Sequence, residues 1–247
     1  MKKYWKKILA YSLVLIVSLA VGGQTGFLME NADDVDGKVE PDIIRGEEFA
    51  EAAAYVSSSM VTEPPKIALT FDDGPSSSWT PILLDGLKER GVKATFFLIG
   101  ENAKKNPDLV KRLDEEGHLI GNHTYHHVEI TKVSNEAAYQ EIMDADQEIY
   151  SITGKHTEYM RPPFGLWQRD LELELEVMPV MWTVDPLDWT TENVDEIVNK
   201  VVTEAEENDI ILLHDCYKSS VEAALRIVDI LAERGFEFVT VDELLMN

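Results

Sequence analysis

KIALTFDDGP, residues 66–75, is a run of apolar and β-prone residues that meets two adjacent aspartates and then a Gly-Pro stop. The run has strand length, and Gly74-Pro75 ends it. A turn needs only one Asx residue, so the pair Asp72-Asp73 is either an acidic turn or the start of a site built where the strand ends.

The same pattern repeats along the chain. Further strand-length runs are ATFFLI, HLIGN, EYMR, VMPVMWTV, DIILLH and FEFVTV. Between them lie stretches of helical period. TPILLDGLKERG has Pro81 in its first turn and Gly91 after its end. NPDLVKRLDEEG closes on Gly117, and SVEAALRIVDILAER (220–234) is followed by Gly235. SNEAAYQEIMDADQEIYSITG and NVDEIVNKVVTEAEEN complete the helical set. Apolar strands alternating with helices define an α/β fold with a parallel sheet covered by helices. About seven such repeats predict a distorted (β/α) barrel, with a doubly wound open sheet as the alternative.

The chain has 247 residues, 45% of them hydrophobic, which is enough for a sizeable core and argues against wholesale disorder. It carries 46 acidic against 22 basic residues, a net charge of −24. Nucleic acid is a poor partner for such a surface, because binding it requires cations on phosphates. Cys216 is the single cysteine, so an intrachain disulfide and a CxxC zinc ribbon are both excluded. At the N-terminus, Lys2, Lys3, Lys6 and Lys7 precede the apolar stretch Ile8 to Val21. Residues 1–29 therefore read as an export signal or a retained membrane anchor, with the following chain outside the cell. Residues 30–64 are acidic and turn-rich, a spacer with a short helix around 47–56, and 65–247 form the folded domain.

Unusual residues fall at the ends of strands, where β/α folds build their sites. FDDGP follows the first strand, NHTYHH (122–127) the third, RPPFG (161–165) the fourth, DPLDW (185–189) the fifth and HDC (214–216) the sixth. His123 and His127 are four apart, so one helical turn would put both imidazoles on one face as a metal pair. His126 competes as H-x-x-H with His123. One aspartate of the pair can add a third ligand while its neighbour stays free as a general base. Arg161, fixed by two prolines, would keep a neighbouring carboxylate ionised. His214 ends a buried strand and suits a general acid, with Asp185 or Asp188 to orient it. Cys216 is too close to His214 in sequence to guarantee the geometry of a thiol–imidazole pair.

These stretches, in this order, resemble the motif set of the NodB-like polysaccharide deacetylases, carbohydrate esterase family 4. That family reads T-F-D-D-G-P, H-[ST]-x-x-H, R-x-P-[YF], D-x-x-D-W and L-x-H. Here the motifs stand at Thr70–Pro75, His123–His127, Arg161–Phe164, Asp185–Trp189 and Leu212–His214. The resemblance covers 66–247 and implies the NodB homology domain, a distorted β/α barrel. It implies Asp72 as general base held by Arg161, and a metal on Asp73, His123 and His127. It further implies Asp185 tuning His214 as general acid, and the Phe164 backbone amide on the oxyanion. Pro163, Trp189 and Leu212 would contact substrate, with Leu212 in the acetyl-methyl pocket. Val128, Phe164 and Pro186 depart from the commoner family residues.

The implied reaction is metal-dependent hydrolysis of the acetamide of an N-acetylhexosamine in a polysaccharide. Zinc suits two histidines and an aspartate, and cobalt, manganese or nickel would also be accepted. Cell-wall peptidoglycan is the expected polymer, with chitin, chito-oligosaccharide or acetylxylan as alternatives. A non-catalytic glycan-binding relative and a two-carboxylate glycoside hydrolase are the competing classes. The protein is expected to be a monomer.

Overall fold

The structure, a computed structural model, describes residues 63–167 and 177–246. The expectations for residues 1–29 and for the spacer up to residue 62, including its short helix, lie outside the described residues. The described elements run β1 (Lys66–Asp72), α1 (Thr80–Glu89), β2 (Thr95–Leu98), α2 (Gly100–Lys105), α3 (Pro107–Glu115), β3 (Leu119–Asn122), α4 (Asn135–Thr153) and β4 (Tyr159–Met160). They continue with β5 (Met178–Pro179), α5 (Val194–Glu204), β6 (Ile210–His214), α6 (Lys218–Glu233), β7 (Glu237–Val239) and α7 (Val241–Leu245).

All strand pairs are parallel, in the order β5-β4-β3-β2-β1-β6, with β7 on β1. The fifth apolar run does not form one strand. Met178 and Pro179 pair with β4, and Val184, farther along the same run, bridges to Ile211 of β6. The N–H groups of Met178 and Val180, on either side of Pro179, donate to the Glu158 and Met160 carbonyls (2.8 Å each), and beyond Val180 the chain leaves β4 and crosses to the other edge of the sheet. There the Thr183 N–H donates to the Ile210 carbonyl (2.9 Å) and the Leu212 N–H to the Val184 carbonyl (2.9 Å). The crossing curls the sheet into a distorted barrel, not an open doubly wound sheet.

The two-residue period of the strands sorts side chains into two layers. Ile67, Leu69 and Phe71 of β1, with Phe96 and Leu98 of β2, pack under the helices in the largest core cluster, and the Phe71 and Phe96 rings stack at 5.0 Å. Ala68 and Phe97 instead join Val180, Ile210, Val239 and Leu244 in a second cluster inside the barrel. Each such fully buried side chain contributes roughly 1.5–3 kcal/mol. Thr70 and Asp72 share the inward face with Ala68, so the barrel interior turns polar toward the C-terminal ends of its strands. In register, Ala68, Thr70 and Asp72 lie beside Ile210, Leu212 and His214 of β6. The pleat therefore aims Asp72 and His214 at the same cleft.

The helix signals read from sequence fall where the helices end. Gly117, Gly154 and Gly235 take left-handed φ values of 78°, 72° and 89° just beyond α3, α4 and α6. Ser134 caps α4 by accepting the Ala137 N–H, and Asn193 caps α5.

Candidate active site

The end of β1 separates its two carboxylates. Asp72 is the last strand residue and is only 4% exposed. Asp73 turns into the left-handed region (φ 70°), which sends its side chain in another direction. Asn102 Nδ2 holds that turn by donating to the Asp73 carbonyl (2.8 Å). Gly74 is required next: a Cβ there would run into the carboxylate of Asp215.

Residues 123–127 do not form the expected helical turn. Thr124 and His127 have φ values of 61° and 58°, left-handed conformations that cost ~1–3 kcal/mol each for such residues. Side chains claim the N–H groups that a helix would use. Asn122 Oδ1 accepts from Thr124 (2.8 Å), while Glu141 Oε2 accepts from Tyr125 (3.1 Å) and His126 (2.8 Å). The Thr124 and Tyr125 carbonyls accept from the Gly100 and Glu101 N–H groups at the start of α2. The loop nevertheless brings the His123 and His127 rings to 4.9 Å. His126 turns outward and meets Glu141 Oε1 through Nδ1 (2.8 Å), so no His123–His126 pair forms.

Asp73 Oδ1 lies 3.4 Å from His123 Nε2 and 3.3 Å from His127 Nε2. One ligand atom from each of Asp73, His123 and His127 falls within 4.8 Å of the others. His123 Nδ1 is 2.6 Å from the Arg161 carbonyl, which can only accept, so Nδ1 carries the proton and Nε2 presents its lone pair. Burial holds the His127 pKa below its ordinary value against the pull of Asp73, so that imidazole is neutral too. Burial pushes Asp73 up, but a hydrogen bond to His123 and the charges that His123, His127 and His214 carry at the acidic pH where a carboxyl titrates outweigh it and keep the carboxyl below the usual range. Asp73 Oδ1 is thus an anionic oxygen, buried and without a hydrogen-bond partner, facing imidazole nitrogens. A divalent cation among the three groups resolves that arrangement, and the donor set fits one.

Arg161 is completely buried inside the barrel. Its Nη1 donates to Asp72 Oδ1 (2.9 Å) and Thr70 Oγ1 (2.7 Å). Nε donates to the Val180 carbonyl (3.1 Å) and Nη2 to that of Met181 (3.3 Å). The guanidinium lies 4.3 Å from the Phe97 ring centroid. Burial lowers its pKa and Asp72 opposes that shift.

The carboxylate on His214 is Asp188, not Asp185. Asp188, 1% exposed, accepts from the His214 backbone N–H (2.9 Å) and meets Nδ1 at 2.8 Å. Leu187 is left-handed (φ 57°), and that bend reverses which residue of DPLD faces the imidazole. Asp185 instead caps the Leu187 N–H (2.8 Å) and lines the cleft. Burial disfavours the imidazolium, but the Asp188 hydrogen bond and charge, followed by the charges of Asp72 and Asp73, raise the His214 pKa to about 9. His214 is protonated at neutral pH, with Nε2 4.0 Å from Asp73 Oδ2.

These groups floor a cleft of about 400 Å³ walled by Phe164, Trp182, Leu187, Trp189, Leu212 and Tyr217. Pro163 is buried, and Pro162 takes its expected place in the wall. Phe164 is left-handed (φ 61°), its ring edge-on to His127 at 4.9 Å. Trp182 and Tyr217 were not anticipated, though each lies three residues from a motif residue, Asp185 and His214. Burial, then the charges of Asp73, Asp215 and Asp188, push the Cys216 thiol up to about 12, so it supplies no thiolate. Asp188 is committed to His214, which removes it as the second carboxylate of a glycosidase pair.

Fold and site together define a (β/α)-barrel protein with an Asp-His-His centre at the C-terminal ends of its strands. The family model described as polysaccharide deacetylase matches residues 59–181. A peptidoglycan-N-acetylglucosamine deacetylase of Bacillus cereus is 39% identical over 199 residues, covering 78% of this chain and 72% of the relative. The peptidoglycan-N-acetylglucosamine deacetylase PgdA of Listeria monocytogenes is 38% identical over 246 residues, 93% of this chain and 53% of the relative. The chain thus spans about half the length of that Listeria relative. The solved structure of the peptidoglycan deacetylase PdaC of Bacillus subtilis superposes with a TM-score of 0.73 at 36% identity, covering 74% of this chain and 91% of that one. The chain belongs to the polysaccharide deacetylase family.

Proposed function

We propose that the protein hydrolyses the acetamide of N-acetylhexosamine units in a polysaccharide, with cell-wall peptidoglycan as the polymer. The observation that carries this reading is the buried, unpartnered Asp73 Oδ1 facing His123 and His127, with Asp72 on one side and His214 on the other. Bound there, a divalent cation supplies Lewis acidity toward a carbonyl and lowers the pKa of water. Asp72, fixed by Arg161, accepts the proton of the attacking water. His214, kept protonated by Asp188, gives its proton to the departing amine, and acetate leaves. The Phe164 amide is assigned to the oxyanion and Leu212 to the acetyl methyl. Trp189 and Tyr217, both exposed at the rim, offer faces on which a sugar ring can rest. Zinc is the assigned metal.

The names of the Listeria and Bacillus relatives support peptidoglycan as the substrate. Residues 1–29 are assigned to export or anchoring, 30–64 to a spacer and 65–247 to catalysis, by a monomer at the cell surface. A complete acid, base and ligand set favours catalysis over mere glycan binding. The test is acetate release from peptidoglycan, chito-oligosaccharides and acetylxylan, after chelation and after add-back of zinc, cobalt, manganese or nickel. Metal-restored release, greatest on peptidoglycan, is expected. Chelator-insensitive glycan binding without acetate, or new reducing ends instead of acetate, would overturn the proposal.

A further inference from the structure

The residues between the two histidine ligands are held by a side chain from α4 that no motif includes. Glu141 makes contact three times there: Oε2 accepts the Tyr125 and His126 N–H groups, and Oε1 meets His126 Nδ1. The next residue of the helix also reaches the loop's origin, since the Ile142 carbonyl accepts from Asn122 Nδ2 (2.8 Å). His123 itself is tied at Nδ1 to the Arg161 carbonyl, whereas the His127 ring meets other site groups: Asp73, His123 and Phe164. The position of His127 therefore depends on the backbone of residues 124–126, and Thr124 and His127 at the two ends of that stretch are both left-handed.

We propose that Glu141 is a positioning residue for the metal centre, a clamp that holds the 124–126 backbone so that His127 meets His123 and Asp73. His126 is part of that clamp and not a ligand. The inference rests on the metal reading above. Glu141 acts by shape, not charge. A glutamine oxygen could accept both backbone N–H groups, and its amide could donate to His126 Nδ1 once that imidazole carries its proton on Nε2.

The test measures zinc affinity of the metal-stripped full chain by competition with a chromophoric chelator, alongside circular dichroism and melting of the metal-free protein. Glu141→Ala should bind zinc about 10–100-fold more weakly than wild type, the range for loss of a group that orients a ligand. Glu141→Gln and His126→Ala should stay within about threefold of wild type, the first because all three contacts survive and the second because both backbone contacts do. If Glu141→Ala does not fold, Glu141→Asp carries the test, drawing the carboxylate back by one methylene, with a loss of at least about fivefold expected. Wild-type affinity in Glu141→Ala or Glu141→Asp would overturn the clamp. So would Glu141→Gln as weak as Glu141→Ala, which would mean that charge matters and not shape. So would a tenfold loss in His126→Ala, which would place the hold on the loop in the His126 ring and not in the two backbone contacts. A wild-type chain that binds no zinc would overturn the metal centre itself, and the clamp with it.

Discussion

Arg161→Met tests the interior ion pair on which the base assignment rests. Methionine refills much of the volume but withdraws every hydrogen bond the guanidinium makes, to Asp72, Thr70, Val180 and Met181. Asp72, 4% exposed, then keeps a buried charge without its guanidinium partner. Breaking a buried pair from one side costs about 3–5 kcal/mol, because the surviving ion stays desolvated. Asp72→Asn keeps an acceptor for Nη1 but leaves the completely buried guanidinium without its counter-charge, so it too should cost about 3–5 kcal/mol. The double variant removes both charges, so the two losses should not add. A coupling of about 2 kcal/mol in favour of the double variant is expected, within the range for contacting residues. The assay is urea unfolding followed by circular dichroism at pH 7 in chelator, which separates the pair from any bound metal. Losses that add to within about 0.5 kcal/mol would refute the reasoning, as would an Arg161→Met cost below about 1 kcal/mol.

Asp188→Asn should lower kcat for acetate release by about 10²–10⁴-fold, whereas Asp185→Asn should cost under about tenfold, because only Asp188 touches His214. The same Asp188→Asn change should move the alkaline limb of the rate profile downward, since Asp188 is the leading influence that lifts His214 to about 9. Equal effects of the two substitutions would refute the corrected pairing. Asp215 is fully buried behind Gly74, where burial pushes its pKa from 3.8 to about 7. A raised pKa means that the folded state binds this proton more tightly, so its stabilisation is complete below pH 3.8 and is lost as pH rises through about 7. Between about pH 5.5 and 8, metal-free wild type should lose about 2 kcal/mol relative to Asp215→Asn in urea unfolding, and parallel pH profiles would refute this.

Much of the fold was legible because the strands that carry it have one environment along their length. In β1 and β6, apolar runs end at a polar residue, and parallel pairing follows from the helices between the strands. The fifth run misled because its apolar pattern is continuous while its partner changes. Val180 makes the last bond to β4 and Val184 begins another pairing on the opposite edge, and apolarity records burial, not the identity of the neighbour. α2 left no period to read, being six residues long. The spacing of His123 and His127 suggested a helix because a helix is one way to bring i and i+4 together, and a loop held by Asn122 and Glu141 is another.

In the site, the groups offered for chemistry were easier to read than the groups that aim them. Few side chains can ligate a metal or move a proton at neutral pH, so Asp72, Asp73, His123, His127 and His214 stood out by type and by their place at strand ends. Any polar residue can hold a backbone turn, so Asn102, Asn122 and Glu141 carried no comparable signal. Yet the turns decide the pairing. Among the described non-glycine residues with positive φ, Asp73, Thr124, His127, Phe164 and Leu187 all lie in the loops of this cleft, and Asn208 is the exception. At Leu187 one such bend is enough to hand His214 to Asp188 in place of Asp185. Each strained residue persists only where fixed partners over-determine it. A substitution in those partners should therefore disturb metal affinity and pH dependence before it disturbs the fold, because none of these five strained residues belongs to the core cluster beneath the helices.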